Sequence, residues 1–172
     1  MKGYLVEVEN VMKVEIVNAM PKYDEALCAV IQSVGAEFGA VGEGFGPSDP
    51  EVLAMSENYS EANRSLYLVA LVDGKVVGGC GLAPFGEHQE VCELKKLFLL
   101  PETRGLGLGK ELVQQCLAFA TQQGYTSCYL DTLTSMSAAV RLYENFGFTH
   151  LNAPYEGTLH NGCDVWMLKS LP

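Results

Sequence analysis

Three glycines, Gly105, Gly107 and Gly109, have the spacing that points most directly to chemistry in this 172-residue sequence. They follow an apolar strand pattern and precede a long helical pattern. The first turn of a helix has backbone N–H groups without intrahelical partners, and the helix dipole adds positive potential there. Glycine lets an anion approach the backbone closely because it has no Cβ. The arrangement therefore predicts a phosphate-binding loop at a helix start.

Two familiar phosphate motifs do not fit this spacing. The dinucleotide fingerprint requires Gly-x-Gly-x-x-Gly, whereas the glycines here follow Gly-x-Gly-x-Gly. The Walker motif requires Ser or Thr after Gly-Lys, where this sequence has Glu111. A tight turn without a ligand is the remaining alternative.

Charge favours the phosphate interpretation. Four of the 11 Lys and Arg residues, Lys95, Lys96, Arg104 and Lys110, fall within residues 95–110, alongside a single acid, Glu102. The chain as a whole is acidic, with 21 Asp and Glu residues. A solvated basic face would also explain the cluster, but its coincidence with the glycines favours a bound phosphate.

The sequence resembles the GNAT N-acetyltransferases, which bind acetyl-coenzyme A, at two motifs in order. Residues 104–109 (Arg-Gly-Leu-Gly-Leu-Gly) match the family's pyrophosphate motif, Arg/Gln-x-x-Gly-x-Gly/Ala. Residues 142–148 (Leu-Tyr-Glu-Asn-Phe-Gly-Phe) match a second landmark, a Tyr on the following helix ahead of Gly-Phe. The resemblance extends over about residues 66–150 and is weak over 1–60.

The resemblance implies how the chain would hold acetyl-CoA. Backbone N–H groups of 105–110 would bind the pyrophosphate, with Arg104 supporting the loop. The backbone of Leu97 and Leu99 would hydrogen-bond the pantetheine and acetyl groups, on a strand that a bulge splays from its neighbour. The Leu97 N–H would polarise the thioester carbonyl. The expected cofactor-binding residues are Leu97, Leu99, Arg104, Gly105, Leu106, Gly107, Leu108, Gly109 and Lys110.

Tyr143 is the first expected catalytic residue. The resemblance implies that its hydroxyl donates a hydrogen bond or proton to the leaving thiolate. A phenol pKa of about 10 and a thiol pKa of about 8.5 are close enough for this role. Spacing alone favours core packing, because Tyr143 lies on the apolar stripe of its helix.

Glu93 is the second expected catalytic residue, as the base that takes a proton from the acceptor amine. It lies 11 residues before Arg104, the separation found in histone-acetylating relatives. On an alternating strand it would share a face with Lys95, Leu97 and Leu99. A surface ion pair with Lys95 is an equally open interpretation, and members of this family often lack a single base.

One position departs from the family pattern. Relatives often have an Asn seven residues before the Tyr, where it contacts the cofactor, and this sequence has Met136. The flanking Ser135 and Ser137 both carry a hydroxyl that could replace that contact.

The C-terminal segment 155–166 is rich in functional groups and could line the acceptor pocket. A polar loop followed by a closing strand is the alternative. His160 lies three residues before Cys163 and close to Asp164. Metal sites use such spacings, but nothing else supports one here, and we expect no metal.

Periodicity predicts an α/β fold: a mixed, mostly antiparallel central sheet of about six to seven strands flanked by about four helices. The resemblance implies that this is the acyl-CoA N-acyltransferase fold. We expect one domain over 1–172, with 1–12 as a possible appendage and Met12 as an alternative start. The predicted strands are 13–18, 66–72, 76–83, 91–100, 127–131, 148–152 and 163–169. The predicted helices are 21–35, 50–58, 108–124 and 135–146.

Composition excludes several classes of function. A formal net charge of −10 and a pI near 4.7 argue against nucleic acid and anionic membranes as partners. No segment has the roughly 20 apolar residues that span a bilayer. The six scattered cysteines form no Cys-x-x-Cys pair, which indicates reduced thiols and a cytoplasmic location.

These observations predict an acetyl-CoA-dependent N-acetyltransferase in which a primary amine attacks the thioester directly in a ternary complex. The acceptor is a small-molecule or peptide amine, and the acidic balance favours a cationic one. The alternatives are a non-catalytic acyl-CoA sensor or interaction module, and an enzyme for another acyl group. The resemblance is compatible with a homodimer formed through the C-terminal strands.

Overall fold

The computed structural model describes residues 11–172, so the predicted appendage over 1–12 lies almost entirely outside the described residues. No helix in this part of the chain is long and apolar enough to cross a membrane. The strands are β1 (Val14–Asn18), β2 (Leu66–Val72), β3 (Lys75–Pro84), β4 (Val91–Leu99), β5 (Ser127–Thr132), β6 (Thr149–His150) and β7 (Val165–Ser170). The helices are α1 (Pro21–Glu37), α2 (Leu108–Gln122) and α3 (Ser137–Asn145), with 3-10 turns at Gly46–Ser48, Pro50–Glu57, Glu61–Asn63 and Pro101–Thr103.

The seven strands form one sheet in the order β1-β2-β3-β4-β5-β7-β6. Within residues 11–172 every strand pair is antiparallel except β4 with β5. Three α-helices and the longer 3-10 helix Pro50–Glu57 correspond to the four predicted helices. The predicted mixed, mostly antiparallel α/β fold is therefore confirmed.

The helices cover the two faces of the sheet. On one face α1 and the Pro50–Glu57 turn bury Leu27, Ile31 and Met55 against the strands. On the other face α2 and α3 pack over a larger core. The apolar stripe of α2 predicted from the sequence is buried throughout: Leu108, Leu112, Val113, Cys116, Leu117 and Ala120.

Three element boundaries differ from the sequence expectation. Gly35 does not end α1, which continues to Glu37. Its role is packing, since a Cβ at Gly35 would lie 2.5 Å from Pro47 Cγ. The 3-10 helix Pro50–Glu57 is interrupted at Ala54, where φ is −150°. The predicted strand 148–152 shortens to Thr149–His150, which pairs only with β7 at the sheet edge.

A β-bulge at Lys96 reorganises the middle of β4. Lys96 has φ +54°, and the register with β3 shifts there, so that Gly81 pairs with Lys95 but Gly79 pairs with Phe98. One extra residue reverses the facing of every later side chain. Leu97 accordingly packs in the α2 core, and so does Leu99. The expectation that Glu93 shares a face with Leu97 and Leu99 is therefore wrong.

The same region opens a cleft in the sheet. Pairing between β4 and β5 covers only three residues on each strand and ends at Glu93 with Tyr129. Beyond this pair the two strands separate, as the family resemblance implied. The cleft lies where β4 leads into the glycine loop before α2.

Candidate active site

The glycine loop at the start of α2 has the backbone conformation of an anion-binding site. Gly105 has φ +83° and Gly107 has φ +79°, values that favour glycine. A Cβ at either position would meet no atom within 4 Å. Among residues 11–172, none of the six backbone N–H groups from Gly105 to Lys110 has a hydrogen-bond acceptor. These donors fit a pyrophosphate group.

Gly109 serves a different purpose from the other two glycines. It lies in the first turn of α2 with ordinary helical φ, and a Cβ there would come within 3.3 Å of Leu142 Cδ2 and 3.5 Å of Leu99 Cδ1. Its small size therefore lets α2 approach α3 and the end of β4.

A groove of about 400 Å³, called here the cofactor groove, runs along the loop between β4 and α3. Eight of the nine predicted cofactor residues line it: Leu97, Leu99, Arg104, Gly105, Gly107, Leu108, Gly109 and Lys110. Leu106 does not line this groove. Its exposed side chain lies near Val14 and Ile16, beside a separate surface hollow.

The Arg104 side chain is engaged with the protein itself. Its Nη1 and Nη2 atoms lie 2.6 and 2.7 Å from the two carboxylate oxygens of Glu37, and Nη2 donates to the Leu99 carbonyl at 3.0 Å. The hydrogen bond to Glu37 raises the pKa of Arg104. Arg104 thus links the end of β4 to α1, which is the geometry of a residue that supports the loop.

The two serines beside Met136 are not equivalent. The Ser135 hydroxyl donates to the Phe38 carbonyl at 2.9 Å, whereas Ser137 lines the cofactor groove. Ser137 is therefore the residue placed to replace the family's Asn contact. Met136 itself lines the groove as an apolar wall.

A smaller cavity of about 60 Å³, called here the inner cavity, adjoins the cofactor groove. The two share Leu97 and Met136 as lining residues. The inner cavity is lined by polar groups from segments distant in sequence, including Glu93, Asp131, Tyr143, His160 and Cys163. It lies at the separation of β4 and β5, so the sheet topology positions both predicted catalytic residues on one space.

Glu93 is a buried carboxyl without a partner. Its side chain makes no hydrogen bond or ion pair with residues 11–172, and the residue is only 9% exposed. Burial raises the pKa of Glu93 to about 7, with Lys95 opposing and Asp131 adding to the rise. Lys95 forms its ion pair with Glu51 instead, at 2.9 Å. A carboxyl with this pKa is poised to exchange a proton near neutral pH.

Tyr143 combines the two roles that the sequence left open. It is buried in the α2 core with its ring edge-on to Phe148, at 5.9 Å between centroids. It also lines the inner cavity, and its hydroxyl has no hydrogen-bond partner in the described part of the chain. Burial raises the pKa of Tyr143 above its usual range, which favours donating a hydrogen bond over releasing the proton.

Sequence reasoning missed an ionic network beside Glu93. His160 Nδ1 lies 2.9 Å from Asp131 Oδ1, and its Nε2 lies 2.7 Å from Asp49 Oδ2. Burial opposes the charged ring, but the hydrogen bonds to Asp131 and Asp49 outweigh it and raise the pKa of His160 to about 10. Asp49 also accepts from Lys96 Nζ at 2.8 Å, at the bulge. The only sequence signal was the density of functional groups around His160.

The residues around His160 are the ones that could hold a metal ion, and the sequence analysis expected none there. Asp164 turns away from His160 and accepts from the Thr134 backbone N–H at 2.9 Å. Ligand atoms of Glu93, Asp131 and His160 do lie within 4.8 Å of one another. Both His160 ring nitrogens face carboxylates, however, so the ring is an imidazolium that donates twice and has no lone pair for a cation. The arrangement is that of an ion-pair network.

Comparisons with known proteins agree with the fold and the predicted family. The model of the Acetyltransferase (GNAT) family matches residues 35–148. The chain belongs to this family and is an acyltransferase, as the two motifs predicted. An uncharacterized N-acetyltransferase of Escherichia coli, YjgM, is 37% identical over 148 residues, which cover 85% of this chain and 88% of the relative.

Solved structures show the same fold. A GNAT-family acetyltransferase from Staphylococcus aureus superposes with a TM-score of 0.81 at 22% identity, over 93% of this chain and 100% of the other. The protein yncA from Salmonella typhimurium, crystallised with its cofactor acetyl-CoA, gives a TM-score of 0.74 at 20% identity, over 93% and 95%.

Proposed function

We propose that this protein transfers the acetyl group of acetyl-CoA to a primary amine, by direct attack of the amine within a ternary complex. One observation carries the proposal: the cofactor groove and the inner cavity meet at Leu97 and Met136. Anion-binding N–H groups and an unpartnered carboxyl thus line two spaces that adjoin each other. Acetyl-CoA supplies an activated thioester, and the chain supplies binding, orientation and proton transfer.

The backbone of 105–110 would hold the pyrophosphate. Its six N–H groups lack protein acceptors among the described residues, and the open space at Gly105 and Gly107 leaves room for a ligand. Arg104 would support the loop through its contacts with Glu37 of α1 and with the Leu99 carbonyl. Lys110, in the first turn of α2, adds positive charge at the groove.

Leu97 would orient the acyl group. It lies in the bulge and has no partner in the β3 register, which passes from Lys95 to Phe98. Leu97 lines the cofactor groove, and there its backbone N–H would stabilise charge on a carbonyl oxygen. Tyr143, which lines the inner cavity together with Leu97, would donate a hydrogen bond to the departing sulfur.

Glu93 would accept the proton of the amine. Burial raises its pKa to about 7, so the carboxyl can take up or release a proton near neutral pH. Its position in the inner cavity, and not in the cofactor groove, leaves it facing the acceptor side. The acceptor would be a small-molecule or peptide amine. The six cysteines are all free thiols, which supports a reducing, cytoplasmic setting.

The test is acetylation of an amine panel followed through release of free thiol, with acetyl-CoA binding measured by titration calorimetry. We expect thiol release with at least one amine, and a fall of about tenfold or more in kcat for Tyr143→Phe. Tyr23→Phe, on α1 outside both cavities, is the control. Acetyl-CoA binding without thiol release would contradict the proposal and favour a non-catalytic acyl-CoA sensor.

A further inference from the structure

Two loops close over the inner cavity and are joined to each other. The first, residues 39–50, contributes Phe45, Gly46 and Pro47 to the cavity lining, and the second, residues 155–164, contributes His160 and Cys163. The Gly162 N–H donates to the Gly44 carbonyl at 3.0 Å. No sequence motif predicts that these loops meet, because the hydrogen bond joins residues more than 100 positions apart.

His160 makes the strongest link between these loops. It bridges Asp49 of the first loop and Asp131 of β5, with ring-nitrogen distances of 2.7 and 2.9 Å. The His160 residue is 8% exposed, so water screens these charge-assisted hydrogen bonds little. We use the term clasp for Asp49, His160 and Asp131 together. The clasp fixes the distance between the cavity roof and the sheet.

The space under the clasp is small. The inner cavity measures about 60 Å³, and one water-sized group takes about 10–15 Å³ on this measure. The cavity therefore admits about four to six heavy atoms. A branched or cyclic group at the amine would not fit beside Glu93 while the clasp is closed.

The charges around the cavity also limit its occupant. Three cations face three carboxylates: Lys95 pairs with Glu51, Lys96 pairs with Glu51 and Asp49, and His160 pairs with Asp49 and Asp131. Glu93 is a fourth carboxyl beside these three, and it has no ion-pair partner among the described residues. The cavity thus offers a single site for one amino group.

We propose that the clasp of Asp49, His160 and Asp131 makes the inner cavity a size filter that restricts the acceptor to slender, unbranched primary amines. This inference rests on the proposed function. His160 acts as a positioning residue for the roof and does not touch the thioester. Breaking the clasp from either side would let the roof move and admit bulkier amines.

The experiment compares n-butylamine with cyclohexylamine as acceptors and measures kcat/KM for each. In His160→Ala and Asp49→Asn we expect the ratio of cyclohexylamine to n-butylamine to rise by about tenfold or more. Phe45→Ala, which widens the cavity directly, is the positive control. His150→Ala, an exposed histidine on β6, is the matched negative control.

The results distinguish a failure of the clasp proposal from a failure of the proposed acetyltransferase function. Unchanged acetyl-CoA affinity and a cooperative thermal melt identify variants that have kept their fold, and Asp49→Asn serves if His160→Ala unfolds. If wild type acetylates amines but does not discriminate between the two probes, or if only Phe45→Ala changes the ratio, the clasp proposal is wrong. If wild type binds acetyl-CoA and acetylates no amine, the proposed function itself fails.

Discussion

The cofactor groove and the inner cavity lie next to each other but are built in opposite ways. The groove takes its binding groups from the backbone of one continuous segment, 105–110. The inner cavity takes its groups from side chains on β4, β5 and two loops, and its central contact joins Asp49 to His160 across 111 positions. Under the proposed function, the co-substrate would contact the local backbone, whereas the acceptor would contact side chains from several segments, each of which can be substituted separately.

The difference has an electrostatic consequence. Free N–H groups and a helix dipole hold an anion at any pH at which the protein is folded. The inner cavity instead depends on the protonation of Glu93 and His160, with pKa values of about 7 and about 10. Mutations in the groove should therefore act on binding, and those in the cavity should act on pH dependence.

The largest effect is expected for Gly107→Trp. A Trp side chain disfavours the left-handed φ of +79° and would fill the open space beside the loop. Several charge-assisted hydrogen bonds between the loop N–H groups and the pyrophosphate would then be lost. We expect acetyl-CoA affinity to fall by about 100-fold or more, measured by titration calorimetry. Gly74→Trp is the matched control, because Gly74 has φ +78° and equally open surroundings in the β2–β3 turn. Equal losses of affinity in both variants would show that the loop itself does not bind the ligand.

Glu93→Gln should lower kcat/KM by about 100-fold near pH 8 and leave acetyl-CoA affinity unchanged. The wild-type rate should rise with pH through about 7, the pKa of Glu93, and the variant should lack that rise. Exposed Glu90→Gln is the control. A variant that keeps the rise would assign the base to another group.

Glu93→Gln should also be the more stable protein above pH 7. The folded pKa lies above the ordinary value of 4.5, so the native state binds more protons between these values and loses stability as pH rises through them. Thermal melts from pH 4.5 to 8 should show a larger loss of stability in wild type than in Glu93→Gln, with the difference already clear below pH 6.5. If the stability of the two proteins falls in parallel as pH rises, ionisation of Glu93 does not destabilise the fold.

The clasp should make the free energy of unfolding fall over a higher pH range than the range set by Glu93. The folded pKa of His160, about 10, exceeds its ordinary value of 6.5. Its contribution is therefore complete below pH 6.5 and is lost as pH rises towards 10, by up to about 1 kcal/mol per pH unit. Denaturant unfolding of His160→Ala should lack this decline, whereas His150→Ala should retain it. A decline that persists in His160→Ala would place the titrating group elsewhere.

The smallest effect is expected for Glu37→Gln. The ion pair with Arg104 is close to solvent, with about a third of each side chain exposed, and exposed pairs contribute little. We expect acetyl-CoA affinity to fall by about twofold or less, as measured by calorimetry. A loss comparable to that of Gly107→Trp would show that Arg104 positions the loop through this contact.

Elements with strong periodicity were predicted well because their signals are local. The α2 stripe from Leu108 to Ala120 is buried as its spacing indicated, and the β2–β3 hairpin turns at Asp73-Gly74. The family resemblance implied a bulge in this strand, but its position at Lys96 was not predicted, because two consecutive lysines carry no sign of a positive φ. That one residue reversed the facing of Leu97 and Leu99 relative to Glu93.

The sequence by itself determined the family, the mixed sheet and the position of the glycine loop, because each depends on residues close together in the chain. Only the tertiary structure decided that Glu93 is left without a partner while Lys95 turns to Glu51. It also decided that His160 joins Asp49 to Asp131. These contacts depend on how segments that are remote in sequence pack over the split between β4 and β5. The spacing of residues along the chain does not specify the distances between such segments.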